Sequence, residues 1–424
     1  MSHTSTTNEA PVAPGAPIPE SHTQAAAASH DAAMPQPMAA NQAAGAAGSQ
    51  AAGVAESQAA TTSQSATAGP PLVSVVVPVY NVERYLDSCL DSLQTQTLSA
   101  IEIIAVNDGS TDGSLAALQR RAAEDPRIKI VDKPNGGLSS ARNAGIMAAA
   151  APIVCFLDSD DTFVPEACEV LAATFQATEA DLVTFGANCL AEDPTQDISW
   201  YLDYLSPRDA VFAPFEPDLL FKERSRPFAW RTAARTAFLR DNGLLFDETV
   251  KFGEDQVFHF AVYPRASKTV LLSDKLYNYR IARDGGMMSR VEADPALKME
   301  EHVKIADAIF ADWARAGLLE PYAAHMMAWL VEFLLFDSLK LPVPQRTQMF
   351  AAAGKLAHLH ASQLVDVAAL PALGLPKAEA DIVSVALEGA ALSDRKARAL
   401  ANAYYVHRYG KMAALRKALN KFKH

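Results

Sequence analysis

Ile153-Val154-Cys155-Phe156-Leu157-Asp158-Ser159-Asp160-Asp161 is the stretch from which the rest of this sequence can be read. Five apolar residues, β-branched at the start, suit a short buried strand. They run straight into three carboxylates, which repel one another and are costly to bury without a cation. One reading is an Asp-rich turn that caps the following helix. The other is a site for a hard divalent ion, Mn2+ or Mg2+, which takes oxygen ligands and shares them with substrate phosphates. The strand ends on either side favour the second.

Upstream, Val73-Ser74-Val75-Val76-Val77-Pro78-Val79 predicts a buried strand stopping near the proline, and Leu86, Leu90 and Leu93 follow at helical spacing. Ile101 to Val106 predicts a second strand, ended by Asn107-Asp108-Gly109-Ser110. A helix from Asp112 to Glu124, a strand from Ile128 to Val131 and a helix from Ala141 to Ala150 complete the approach to Ile153. This alternation predicts an α/β fold with a mostly parallel central sheet, whose ligands lie beyond the carboxyl ends of the strands.

Those ends carry the polar residues. Asp108 suits a hydrogen bond from a nucleobase N–H, while Ser110 or Asp112 caps the next helix. In the turn Pro78-Val79-Tyr80-Asn81-Val82-Glu83, Tyr80 either packs on a planar base or fills the loop. Gly136-Gly137 allows close backbone approach to a ligand, and Arg142 offers charge-assisted hydrogen bonds. The glycines match neither a Rossmann fingerprint nor a P-loop. Farther on, Glu254-Asp255 precedes an apolar helical run, and two roles stay open: complementing the helix dipole, or supplying a general base.

Three regions follow from composition. Residues 1–71 are rich in Ala, Ser, Gln, Thr, Pro and Gly, with no aromatic residue before Tyr80, and are expected to be a disordered low-complexity tail. Residues 72–290 hold the strand-helix alternation, and residues 291–424 are expected to be a helical C-terminal region broken at Pro342 and Pro344. The last thirty residues hold nine Lys or Arg and no acid after Asp394. For that region, packing or oligomerisation is one reading; peripheral contact of the basic end with an anionic membrane is the other. A formal net charge of −12 argues against a nucleic-acid binder. Cys89, Cys155, Cys168 and Cys189 lack metal-ligand spacing and read as reduced core residues. No apolar stretch is long enough to span a bilayer and no secretory signal stands out, so a cytoplasmic location is expected, peripheral at the inner membrane face if the basic end engages lipid.

Taken in order, Val75 to Glu83, Asn107 to Asp112, Asn135 to Asn143 and Phe156 to Asp161 resemble the family 2 glycosyltransferases of GT-A fold, over roughly residues 72–290. The resemblance implies inverting transfer of a sugar from a nucleotide-diphosphate donor, a UDP-sugar, to a hydroxyl of a growing glycan or lipid-linked acceptor, in capsule, exopolysaccharide or cell-wall assembly. It implies that Pro78, Tyr80, Asn81, Glu83, Asp108, Gly137 and Arg142 belong to the nucleotide-sugar site. Asp158 and Asp160 would serve the diphosphate and metal, with Asp255, beside Glu254, as base. Trp230 and the stretch from Tyr277 through Arg283 match a looser downstream pattern, in which Arg283 would neutralise the diphosphate. Arg231-Thr232 departs from the Lys-Leu expected after that tryptophan. Two alternatives differ in testable ways. A sugar-phosphate nucleotidyltransferase calls for a Gly/Arg-rich loop that Pro78–Glu83 lacks, and a non-catalytic nucleotide-sugar-binding relative has no use for an intact acid pair.

Overall fold

β1 (Val73–Val79) and β2 (Ile101–Asp108) are buried along their whole length, as strands covered on both faces must be. They pair in parallel, β3 (Ile128–Lys133) lies parallel on the far side of β2, and β4 (Ile153–Phe156) lies parallel on the other side of β1. The computed structural model describes residues 69–191, 198–223, 225–281, 294–362, 367–368, 370–389 and 391–420. The expected tail, apart from residues 69–71, and Arg283 lie outside these.

β1 does not stop at Pro78. Pro78 stands opposite Val106 of β2, while pairing with β4 has run out at Val76–Phe156. The Val76 carbonyl accepts a bond from the Leu157 amide, so residue 78, two positions on, points its nitrogen toward the same side, where no strand remains. The missing N–H therefore costs the sheet nothing.

The connections are α1 (Glu83–Gln94), α2 (Ser114–Glu124) and α3 (Leu138–Ala148). In α3, Gly145 is required by proximity: a Cβ there would lie 2.2 Å from Cγ1 of Val76. Strand order 3-2-1-4 places the reversal of winding between β1 and β4, so a crevice opens at their carboxyl ends. At the opposite end Glu102 is buried but satisfied by Ser74, by Lys129 at 2.5 Å and by the amides of Ala150 and Ala151 at 2.5 and 3.0 Å. Burial pushes its carboxyl upward, and those bonds outweigh it and hold it below the usual carboxylate range.

Beyond β4 the sheet becomes mixed. β5 (Thr162–Phe163), α4 (Ala167–Thr178), β6 (Leu182–Ala191), α5 (Ser199–Tyr204), β7 (Ala210–Phe212), α6 (Pro217–Phe221), β8 (Thr232–Arg235), α7 (Thr236–Asp241), α8 (Glu254–Val262) and β9 (Thr269–Ile281) follow in the chain. β8 runs antiparallel to β4 and β6, β9 parallel to β6, and β5 and β7 antiparallel to β9. The expected parallel order thus describes the first four strands and gives way beyond them.

The helical region comprises α9 (Pro295–Arg315), α10 (Ala323–Leu330), a π-helical turn at Val331–Leu335, α11 (Phe336–Ser338), α12 (Val343–His360), α13 (Lys377–Glu388) and α14 (Asp394–Asn420). Pro342 and Pro344 sit at the start of α12, so they separate two helices and begin the second. Residues 68–424 form one compact unit. Within it α9 is fixed to α8 by Trp313, whose indole N–H donates to the Phe260 carbonyl at 2.9 Å, and by the Arg265–Asp312 fork at 2.9 and 3.0 Å. The four cysteines are all free thiols. Among the described residues no helix is long and apolar enough to cross a membrane.

Candidate active site

The three carboxylates after β4 are separated by the fold. Asp161 turns inward, accepting hydrogen bonds from the Tyr277 hydroxyl and the Arg280 amide, both at 2.7 Å. Burial, then the charge of Asp160, pushes its carboxyl well above the usual range, so it is held as a hydrogen-bonded core group. Asp158 lies against Arg142, with Nη2 to Oδ1 at 2.8 Å, and its own amide donates to the Tyr277 hydroxyl at 3.2 Å. Asp160 is half-buried, and its carbonyl accepts from Arg280 Nε at 3.2 Å. Much of the repulsion read from the sequence is therefore relieved by the chain itself.

Arg142 is the hinge of the site. Its other amino group, Nη1, reaches Glu254 Oε1 at 2.9 Å, so one buried guanidinium joins acids 16 residues downstream and 112 residues downstream. The charge-assisted bonds expected of Arg142 are made, but to carboxylates of the chain, and its Nε has no hydrogen-bond partner among the described residues. The neighbouring Asn143 fixes α3 to the approach to α8: its side chain donates to the Phe246 carbonyl and accepts from the Phe246 amide, at 2.9 and 2.8 Å.

Glu254 and Asp255 open α8 behind Gly253, whose φ of 70° lies in the left-handed region. Burial, opposed by Arg142 and reinforced by Asp255, pushes the Glu254 carboxyl up to about 7. Asp255 is also raised by burial, but the amides of Phe228 and Gln256 donate to it at 2.7 and 2.8 Å and favour its ionised form. Below them the His259 imidazole meets the Thr232 hydroxyl at 3.1 Å in a buried network that seats α8 on β8.

Gly137, Arg142, Asp158, Glu254 and Asp255 line one cavity of about 740 Å³. Pro78, Tyr80, Asn81, Glu83, Asp108 and Asp160 are not part of its lining. Pro78 is buried in β1, and Tyr80 is 49% exposed at its end. Asn81 Oδ1 accepts from the Thr111 amide at 2.8 Å and Glu83 from the Gly113 amide at 3.0 Å, so these two side chains tie the first strand-end turn to the second. Asp108 is buried with both oxygens engaged: Oδ1 by Lys133 Nζ at 2.6 Å and the Gly136 amide at 2.9 Å, Oδ2 by the Gly137 amide at 2.7 Å. The glycine pair thus folds over Asp108.

Trp230 and Tyr277 belong to the looser downstream pattern, whereas the contributors from the C-terminal helical region carried no signal that the sequence reading used. Tyr277 bridges Asp158 and Asp161, and Trp230 stacks on it with centroids 4.0 Å apart. Arg231, the departure noted after that tryptophan, is buried and donates to the carbonyls of Phe185 and Tyr204, fixing α5 against β6. From α9, Lys298, His302 and Ile305 reach the cavity. Their i, i+4, i+7 spacing marks one helix face, a pattern visible in the sequence but silent about what the face covers.

Comparison with known proteins fits this geometry. The model of the glycosyl transferase family 2 domain matches residues 74–200. The uncharacterized glycosyltransferase EpsJ of Bacillus subtilis is 34% identical over 238 residues, 55% of this chain and 67% of its own length. Glycosyltransferase GlyG of Streptococcus pneumoniae is 30% identical over 255 residues, 58% of this chain and 82% of its own length. Other curated relatives are matched over less of their length, such as 32% for the Streptococcus pneumoniae glycosyltransferase GlyA. The crystal structure of S. aureus TarS residues 1–349 in complex with UDP-GlcNAc superposes with a TM-score of 0.61 at 23% identity, covering 80% of this chain and 93% of that one. The fold is therefore GT-A, as the ordered motifs imply, and the match to most of GlyG fixes the lineage: this chain belongs to the family 2 glycosyltransferases.

Proposed function

We propose that this chain transfers a sugar from a nucleotide-diphosphate donor, a UDP-sugar of the UDP-GlcNAc type, to a hydroxyl of a growing glycan or lipid-linked acceptor, with inversion at the anomeric carbon. One observation carries the reading. The Arg142 guanidinium holds Asp158, at the donor end of β4, and Glu254, at the start of α8, on the wall of a single cavity. Donor and acid pair then meet where a hydroxyl enters.

Asp255 is the base. The acceptor O–H gives its proton to Asp255 as its oxygen bonds to the anomeric carbon, and the bond from that carbon to the diphosphate oxygen breaks on the opposite face. Burial raises Glu254 to about 7 and raises Asp255 as well, while two backbone amides favour the ionised form of Asp255. On the donor side Tyr80 forms a platform for the base. Asp108 reads the base N–H by exchanging one of its in-chain donors, and Asn81 and Glu83 position the turn instead of touching the ligand.

Among the described residues no three His, Cys, Asp or Glu side chains gather to hold a metal alone. Asp158 and Asp160 nonetheless offer hard oxygen donors at a strand end, a set that fits Mn2+ or Mg2+ when diphosphate oxygens and water complete the shell. Such an ion, when bound, supplies positive charge for the departing diphosphate.

Thermal stability against UDP, GDP, CDP and TDP, each with Mn2+ or EDTA, tests the reading. UDP with Mn2+ raises the midpoint by several degrees, and EDTA or Asp160→Asn removes most of that gain. No shift with any nucleotide overturns it.

A further inference from the structure

We propose that the cavity beside Glu254 and Asp255 is an acceptor site selective for a glycan that carries an anionic group, a carboxylate or a phosphate, held by Lys251 and Lys298. This rests on the transferase reading above and names its acceptor class.

Much of the cavity wall is aromatic. Trp230 and Tyr279 stack at 5.2 Å, Phe228 lies 5.6 Å from Tyr279, and Trp200 lies 6.1 Å from Phe228. Such faces pack against the C–H faces of sugar rings and fix their orientation. The cavity volume, about 740 Å³, suits one or two sugar units.

Charge decides the class. Of the acids lining the cavity, Asp158 and Glu254 are both taken by Arg142, and Asp255 accepts two backbone amides. Lys251 donates to the Gly136 carbonyl at 3.1 Å, a neutral partner. Among the described residues no carboxylate lies within 4.0 Å of either Lys251 or Lys298, so neither ammonium group that lines the cavity is in a salt bridge. His302 stands beside Lys298 and adds none, because its Nδ1–H donates to the Phe333 carbonyl at 2.8 Å, and burial and Lys298 push its pKa down to about 4. Its other ring nitrogen remains an acceptor for a sugar hydroxyl. An anionic substituent pairs with these two ammonium groups, and α9 thereby becomes part of the binding site.

The test is a saturation-transfer NMR titration of the full chain, saturated with UDP and Mn2+, using methyl β-D-glucuronide, methyl β-D-glucoside 6-phosphate and methyl β-D-glucoside. At low salt one of the anionic glycosides binds roughly tenfold more tightly than the neutral one, and which of them does so identifies the group. The margin shrinks at high salt and disappears in the Lys251→Gln/Lys298→Gln variant, whose melting temperature reports that it is folded. Equal affinity for all three, a preference surviving in the double variant, or no binding while UDP still shifts the midpoint overturns the proposal. A missing UDP shift instead overturns the transferase reading beneath it, and the two failures are told apart by the melting curve alone.

Discussion

The part of the site built on β1 to β4 and the part built on α5, α8 and α9 hold their polar groups by different means. In the first, each functional residue stands within a few positions of a strand end, and short loops bind one another: Asn81 to Thr111, Glu83 to Gly113, Asp108 to Gly136 and Gly137. In the second, the groups come from segments more than a hundred residues apart, set in an aromatic surround, and the burial that unites them also pushes Glu254 up to about 7. The contrast teaches a division of labour. The first part is a densely hydrogen-bonded frame at the strand ends, and the second places a buried, raised acid pair on the cavity wall.

Arg142 joins the two parts, and removing it should have the largest effect. Arg142→Met leaves Asp158 and Glu254 without their cation, and a loss of about 3–5 kcal/mol in urea unfolding is expected. A loss below about 1 kcal/mol would mean the parts hold together without it. Next comes the backbone that aims the acid pair. Gly253 has a φ of 70°, and a Cβ there would lie 2.5 Å from Cδ1 of Ile305. Gly253→Ala is expected to cost roughly 1–2 kcal/mol in thermal unfolding and to slow transfer while UDP affinity holds. A fall in UDP affinity of the same size would blur the division.

The acid pair should also set the pH profile. Both carboxyls are raised, so the base gains its proton at a pH where an ordinary carboxylate is still ionised. Transfer is expected to fall toward low pH, about tenfold per pH unit once the base is protonated, from an onset above the ordinary carboxylate range and with UDP affinity flat over the same window. A rate limb near pH 4 would show that burial does not perturb the pair. The smallest effect belongs to the aromatic wall. Trp200 is 48% exposed, so Trp200→Ala should leave folding intact and raise the acceptor KM about fivefold, the worth of one aromatic face. An unchanged KM would place the acceptor elsewhere.

The same contrast explains what could be read from the sequence. Apolar strands running into Asp108 and Asp158 were legible because each strand and the carboxylate at its end are adjacent in the chain. The end of β1 beside Pro78 was legible too, although only the place where β4 stops explains why the proline can stand inside the strand. Asp161 looked like its neighbours, yet only the distant Tyr277 and Arg280 reveal that it points into the core. Arg142 was assigned to the site by the family resemblance, but its partner Glu254 lies 112 residues away and no local pattern encodes the pairing. Lys298 and His302 showed helical periodicity alone, because a periodic face names no neighbour.

The most direct test is Asp255→Asn, read for UDP affinity with Mn2+ and for transfer from UDP-GlcNAc. The division of labour predicts unchanged UDP affinity and a rate at least about a thousandfold lower. Weakened UDP binding with transfer intact would contradict it.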